Sequence, residues 1–164
     1  MTIAVYPGSF DPITLGHVDI VTRASQMFER VIMAVVKNPQ KKPNIEIQAR
    51  VLLVEQSLQH LPNIQVESFE GLTVDLAKAH NAKIIIRGLR AVSDFENEFA
   101  MSQMNKRLCP SVETLFMMAG LEYQFLSSSM TNEVARLGGS IEGLVPENVR
   151  AYYKSQRPIE KAGG

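Results

Sequence analysis

A single cysteine, no tryptophan and no net charge set the first limits on this 164-residue chain. Cys109 alone excludes an internal disulfide and any metal site built from several thiolates, and it fits a reducing compartment. Lys+Arg and Asp+Glu each total 17. With formal charge balanced, no overall field draws in nucleic acid or an anionic membrane, so any phosphate binding depends on locally placed groups. No apolar run approaches the roughly 18 residues that span a bilayer. The first motif begins by Pro7, so no leader segment is expected. Also missing are a G-x-x-x-x-G-K-[ST] loop, a G-x-G-x-x-G after any strand, a G-x-S-x-G elbow, and basic patches interleaved with aromatics. A cytoplasmic, soluble protein with no nucleic-acid or membrane partner is the expectation.

What is present is ordinary in amount and ordered in pattern. Hydrophobic residues make up 45% and charged residues 21%, typical of a globular protein of one domain. We expect a single domain over 1–164, with 161–164 as a loose tail and 37–44 as a low-order linker. Apolar runs of strand character cover 2–6, 30–36, 64–69, 83–87 and 112–118. Helical periodicity covers 16–28, 47–61, 74–80, 94–108, 129–137 and 147–155. Ser93 with Glu96 reads as a capping box for the fourth helix. Gly138-Gly139 stops the fifth, and Pro146 precedes the last. Such alternation predicts a doubly wound, Rossmann-like α/β fold: a five-stranded parallel sheet with helices on both faces. The methionines Met101, Met104, Met117, Met118 and Met130 read as core filler.

In a sheet of this kind, ligands gather beyond the carboxyl ends of the strands. Five stretches occupy that rim: 7–17, 37–42, 71–73, 87–90 and 119–129. Hydroxyls, cations, glycines and one histidine concentrate there. Ile3 to Tyr6 forms a strand that runs through Pro7, Gly8, Ser9, Asp11 and Pro12 to a helix start at Thr14, Gly16 and His17. A strand, a turn and a helix N-terminus make a phosphate site, because free backbone N–H groups and the helix dipole both favour anions. The same dipole disfavours a protonated His17, which therefore suits a donor role toward phosphate. His60 and His80, near helix C-termini, read as ordinary surface or packing residues. Arg87 and Arg90 flank Gly88 after a buried strand and present two guanidinium forks of a kind that suits phosphate. Lys41-Lys42 stands in a Pro-flanked loop. Ser127-Ser128-Ser129 either caps the fifth helix or holds a polyphosphate. By composition alone, Glu98 reads as a surface charge. No second histidine, cysteine or carboxylate stands at ligand spacing from His17, so a metal site made by protein alone is not expected.

The string Tyr6-Pro7-Gly8-Ser9-Phe10-Asp11-Pro12 with Thr14-Leu15-Gly16-His17 resembles the T/H-x-G-H signature of the nucleotidyltransferase superfamily. Ile86 to Glu96, together with Phe125-Leu126-Ser127-Ser128-Ser129, closely resembles the bacterial phosphopantetheine adenylyltransferases. The likeness extends from residue 3 to about 155. It implies transfer of AMP from ATP to 4′-phosphopantetheine, giving dephospho-coenzyme A and pyrophosphate. Carried over by position, Ser9, Phe10 and His17 lie at the ATP phosphates, with His17, Lys41 and Ser9 in the catalytic role. Gly88, Leu89, Arg90, Glu98 and the segment Tyr123, Gln124, Phe125, Leu126, Ser127, Ser128, Ser129 would hold ATP. Ser9, Lys41, Thr73 and Arg87 would contact phosphopantetheine. The resemblance further implies Mg²⁺ held mainly through ATP phosphates and water, a homohexamer, and coenzyme A as a feedback ligand. Two departures stand out: serine at position 9 where many members carry threonine, and Ala119-Gly120-Leu121 in place of a proline-containing loop.

Overall fold

The computed structural model describes residues 2–39, 42–90 and 92–156, the side chains of 92–94 excepted. Lys41 and the 161–164 tail lie outside the described residues. Five strands, β1 (Ile3–Gly8), β2 (Arg30–Val36), β3 (Ile64–Phe69), β4 (Ile84–Leu89) and β5 (Glu113–Met118), form one parallel sheet in the order β3-β2-β1-β4-β5. Helices α1 (Leu15–Met27), α2 (Ile47–Leu58), α3 (Thr73–Ala79), α4 (Val92–Leu108), α5 (Ser128–Arg136) and α6 (Glu147–Gln156) complete the chain. A 3₁₀ turn at Leu121–Tyr123, absent from the sequence reading, leads into α5.

Strand alternation divides the core into two layers. Ala4, Tyr6, Val31, Met33 and Val35 pack on one face with Val21 and Ala24 of α1 and Leu53 and Val54 of α2. Val5, Ile32, Ala34 and Ile85 point to the other, against Val74, Leu76 and Ala77 of α3. Burial on both faces accounts for the near-continuous apolar runs of the central strands. Among the described residues, no helix is long and apolar enough to cross a membrane.

Three expectations need correction. Helix α2 ends at Leu58 rather than 61, because Leu61 precedes Pro62 and the residue before proline is disfavoured in helical geometry. Helix α4 begins at Val92, so Ser93 lies inside the helix rather than capping it; β4 runs on to Leu89 and leaves little chain between the two elements. The methionines are mostly not core. Of the five read as core filler, Met101, Met104, Met118 and Met130 are each about half exposed, and only Met117 is buried. Met101 and Met104 lie on α4, whose apolar side chains are interspersed with polar and charged ones instead of forming one buried stripe.

The pairing of the central strands positions the site. β1 pairs with β2 over six residues, from Ile3↔Arg30 to Gly8↔Val35. With β4 it pairs only at Ala4↔Ile84 and Val5↔Ile85. Beyond those two rungs, the strands separate at the point where the winding direction reverses. That is where an open α/β sheet forms its ligand crevice.

Candidate active site

The loop from Ser9 to Thr14 forms one wall of the crevice and is anchored by its carbonyls. Arg50 Nη1 donates to the Ser9 carbonyl at 2.8 Å. Asn132 Nδ2 donates to the Asp11 carbonyl at 2.8 Å, and Ser128 Oγ to the Pro12 carbonyl at 2.8 Å. The Tyr153 hydroxyl in turn donates to Asn132 Oδ1. On the side-chain level, the Asp11 carboxylate accepts from the Asn44 and Ile45 N–H groups at 2.8 and 2.9 Å. Phe10 adopts a left-handed backbone, φ 44°. Its ring is buried edge-on between Tyr6 and His17, with centroids 5.5 and 5.1 Å away. Gly8 is required for this arrangement, since a Cβ there would lie 2.8 Å from the Phe10 ring.

At the start of α1, Thr14 and His17 cap each other. Thr14 accepts from the His17 backbone, and the Thr14 N–H donates to His17 Nδ1 at 3.0 Å. An Nδ1 that accepts carries no proton, so the neutral ring holds its hydrogen on Nε2. Burial, followed by the Arg90 and Arg87 charges, lowers the His17 pKa from 6.5 to about 4. Near neutrality the side chain is thus an uncharged Nε2–H donor at the cavity wall. Between pH 6.5 and about 4 the unfolded chain takes up a proton that the folded site refuses. Stability linked to this residue is therefore complete above pH 6.5 and declines as pH falls through that window. NMR titration of the free protein should place the His17 imidazole midpoint near 4. A midpoint at or above 6.5 would contradict the buried, neutral assignment.

The opposite wall comes from β4 and α4. Arg87 donates from Nε and Nη2 to both oxygens of Glu98 at 2.6 Å, and from Nη1 to the Pro7 carbonyl at 2.9 Å. The Pro7 contact bridges the divergence of β1 and β4. Burial opposes the Arg87 charge, but the Glu98 hydrogen bond and charge outweigh it and raise its pKa. Glu98 is therefore the fixed partner of Arg87 rather than a loose surface charge. Arg90 Nη1 donates to the Leu126 carbonyl at 3.1 Å, which ties β4 to the segment before α5. Gly88 permits the close approach of this strand to α1, since a Cβ would meet Ile20 at 2.5 Å.

These walls enclose a cavity of about 360 Å³, within the range of small-molecule sites. Ser9, Phe10, His17, Arg87, Gly88, Arg90, Glu98, Leu126, Ser127, Ser128 and Ser129 all line it. The three serines differ in what they have left to offer. Ser127 Oγ accepts from Met130 N–H as the cap of α5, and Ser128 Oγ is engaged with Pro12. The Ser129 hydroxyl has no protein partner among the described residues. Leu89, Thr73, Tyr123, Gln124 and Phe125 are not among the lining residues. Leu89 is buried and Phe125 is 80% exposed. Tyr6 and Thr14, read from the sequence only as the strand end and the helix start, also line the cavity, as does Asn97, which the sequence reading did not single out. Ser9, Ser128 and Ser129 also border a second cavity of about 480 Å³, walled by Arg50, Lys37 and Lys42.

The cytidylyltransferase-like family matches residues 5–134. A protein of Carboxydothermus hydrogenoformans called phosphopantetheine adenylyltransferase is 55% identical, covering 99% of each chain. Another of the same name, from Heliobacterium modesticaldum, is 56% identical over 99% of this chain and 94% of its own. This chain belongs to the phosphopantetheine adenylyltransferase family. A crystal structure from Vibrio parahaemolyticus, described as a nicotinate-nucleotide adenylyltransferase, superposes with TM-score 0.73 over 94% of this chain and 93% of that one. At 17% identity it shows the shared fold alone. In phosphopantetheine adenylyltransferase terms, the crevice between β1 and β4 is the place where the motif residues of this chain meet.

Proposed function

We propose that this chain transfers the adenylyl group of ATP to 4′-phosphopantetheine, forming dephospho-coenzyme A and pyrophosphate, by in-line attack without a general base. The observation that supports it best is the pairing of an uncharged Nε2–H donor, His17, with the Arg87 and Arg90 cations around one cavity. The acceptor is a phosphate monoester, largely dianionic near pH 7 because its second pKa is about 6. Its oxygen attacks the α-phosphorus of ATP, the bond to the bridging oxygen breaks, and pyrophosphate leaves with the electron pair. No proton must be removed. The chemical difficulty lies in bringing two polyanions together and stabilising charge on the α-phosphoryl group, which calls for positioning and electrostatics.

Within this reading, His17 and Ser9 donate to the α-phosphoryl oxygens at the transition state, with Lys41 as the third donor. The N-terminus of α5 and the Ser129 hydroxyl receive the outer phosphates. Arg87 faces the acceptor phosphate, and Glu98 holds its fork in one orientation. Mg²⁺ would be held by phosphate oxygens and water, in keeping with its preference for retaining waters. Glu98, the carboxylate lining the cavity among the described residues, is committed to Arg87. The ion would neutralise phosphate charge; the residues named above orient the reactants.

Pyrophosphate release from ATP across a panel of phosphorylated acceptors is the decisive measurement. Turnover with 4′-phosphopantetheine should exceed that with any mononucleotide by at least about 10⁴, as expected for a site that leaves polar groups unpaired with the wrong acceptor. Equal turnover with a mononucleotide would reassign the acceptor, and ATP binding without pyrophosphate under any acceptor would reduce the chain to a nucleotide sensor. Coenzyme A, which shares the adenylyl and pantetheine parts of both substrates, would compete in the same assay. We also propose a homohexamer. The exposed apolar side chains of α4, among them Phe95, Phe99, Met101 and Met104, support burial between subunits. Sedimentation should report about six times the 18.3 kDa chain mass, and a monomer at working concentration would rule the assembly out.

A further inference from the structure

Arg50 is the most deeply buried charge among the described residues, 4% exposed, and its environment is unusual. It lies on the inner face of α2, on one stripe with Leu53, Val54 and Leu58. No carboxylate pairs with it among the described residues. Its printed partners are two backbone carbonyls: Nη1 donates to Ser9 at 2.8 Å and to Val36 at 3.2 Å, while the buried Nε has no partner. Buried charges are normally paired, because desolvation disfavours an isolated ion. A guanidinium retained without an anion, at the ends of two adjacent strands, points to a role at the substrate rim.

Its place in the backbone gives that role a mechanism. Ser9 and Val36 end the segments that carry the two substrate loops after β1 and β2, so one nitrogen holds both loops in register. The Ser9 carbonyl turns to Arg50. In a trans peptide the following N–H points the opposite way, so the Phe10 N–H points away from Arg50, and Ser9 and Phe10 both line the main cavity. That N–H has no acceptor among the described residues. The left-handed conformation of Phe10 costs free energy for a residue with a bulky side chain. It persists because the ring is buried on one side and the Ser9 carbonyl is held on the other.

We propose that Arg50 is a positioning residue: by gripping the Ser9 and Val36 carbonyls it fixes the Ser9–Phe10 peptide so that the Phe10 N–H donates to a phosphoryl oxygen of the bound nucleotide. This rests on the adenylyl-transfer reading and adds to it a backbone donor and the side chain that aims it. The test compares Arg50→Met, which keeps the apolar stem, with Arg50→Lys, which restores a cation of shorter reach. Arg50→Met should lower kcat by about ten- to a hundredfold, as small misplacements at reacting centres do. KM for the acceptor should change less than threefold, and Arg50→Lys should regain about half of the loss on a logarithmic scale. A folded Arg50→Met with wild-type kcat overturns the proposal. So does Arg50→Lys showing no gain over Arg50→Met when rates are normalised to folded protein. Should Arg50→Met fail to fold, the wild-type protein decides: saturation with a non-hydrolysable ATP analogue should move the Phe10 amide proton strongly downfield in NMR, and an unmoved resonance overturns the assignment. Wild-type protein that releases no pyrophosphate would instead refute the adenylyl-transfer reading, independently of any Arg50 result.

Discussion

Replacing His17 with alanine should reduce kcat by about 10²–10³ while the dissociation constant for ATP stays within a few-fold. The magnitude is that of removing one preorganised donor from a site where charge develops. His17 suits the role because its proton is fixed on Nε2 by the Thr14 N–H and its charge is suppressed by burial and by Arg90 and Arg87. The donor is thus in place before substrate arrives and need not reorganise during the reaction. Ground-state ATP is held by many other groups, so its affinity depends little on this one. The same substitution removes the acceptor for the Thr14 N–H and should cost about 1 kcal/mol of stability, typical of a lost helix cap. Steady-state pyrophosphate release, calorimetric ATP binding and thermal melting separate these effects. Turnover near wild type in His17→Ala would remove the imidazole from the mechanism.

The second large effect is expected at the Arg87–Glu98 pair. Its two 2.6 Å bonds join side chains that are 31% and 20% exposed, so solvent screens them only in part. Arg87→Ala removes a cation from the cavity and leaves Glu98 facing the incoming phosphate uncompensated. The two changes act in the same direction, and kcat/KM for the acceptor should fall about 10²–10³-fold, the scale for truncating one partner of a hydrogen-bonded charge pair. Lysine at 87 should recover little of this, because an ammonium cannot engage both Glu98 oxygens and the Pro7 carbonyl as a planar fork does. Adding Glu98→Gln to Arg87→Ala should restore part of the loss by removing the orphaned negative charge. If the double variant is no better than Arg87→Ala alone, the electrostatic account of Glu98 is wrong.

Fold and site differed in how far the sequence disclosed them. Strand and helix positions were legible because burial on both sheet faces imposes continuous apolar runs, and because Gly138-Gly139 and Pro146 punctuate the chain. The convergence of Ser9, His17, Arg87, Arg90 and Ser127–Ser129 followed from the rule that parallel strands deliver their C-terminal loops to one rim. Glu98 was harder to read, since its partner Arg87 is eleven residues away on a different element and only tertiary packing unites them. The methionines misled because Met101 and Met104 stand among polar residues on α4, where no single apolar stripe marks the side the sheet covers, while Met118 and Met130 fall at the end of β5 and the start of α5. Thr73 and Tyr123–Phe125 lie off the cavity lining, and nothing in local pattern could have separated them from Leu126 and Ser127. Arg50 did leave a trace: a guanidinium on the stripe shared by Leu53, Val54 and Leu58 is a charge where periodicity calls for an apolar side chain.

The two-rung junction between β1 and β4 makes the sheet mechanically a pair of panels, β3-β2-β1 and β4-β5, fastened along a short hinge. Groups that would grasp a nucleotide sit on both panels, Ser9 and His17 on one, Arg87 and Arg90 on the other. A ligand bound between them would therefore join the two panels where the sheet ladder is shortest, and occupancy should be felt as added rigidity well beyond the atoms it touches.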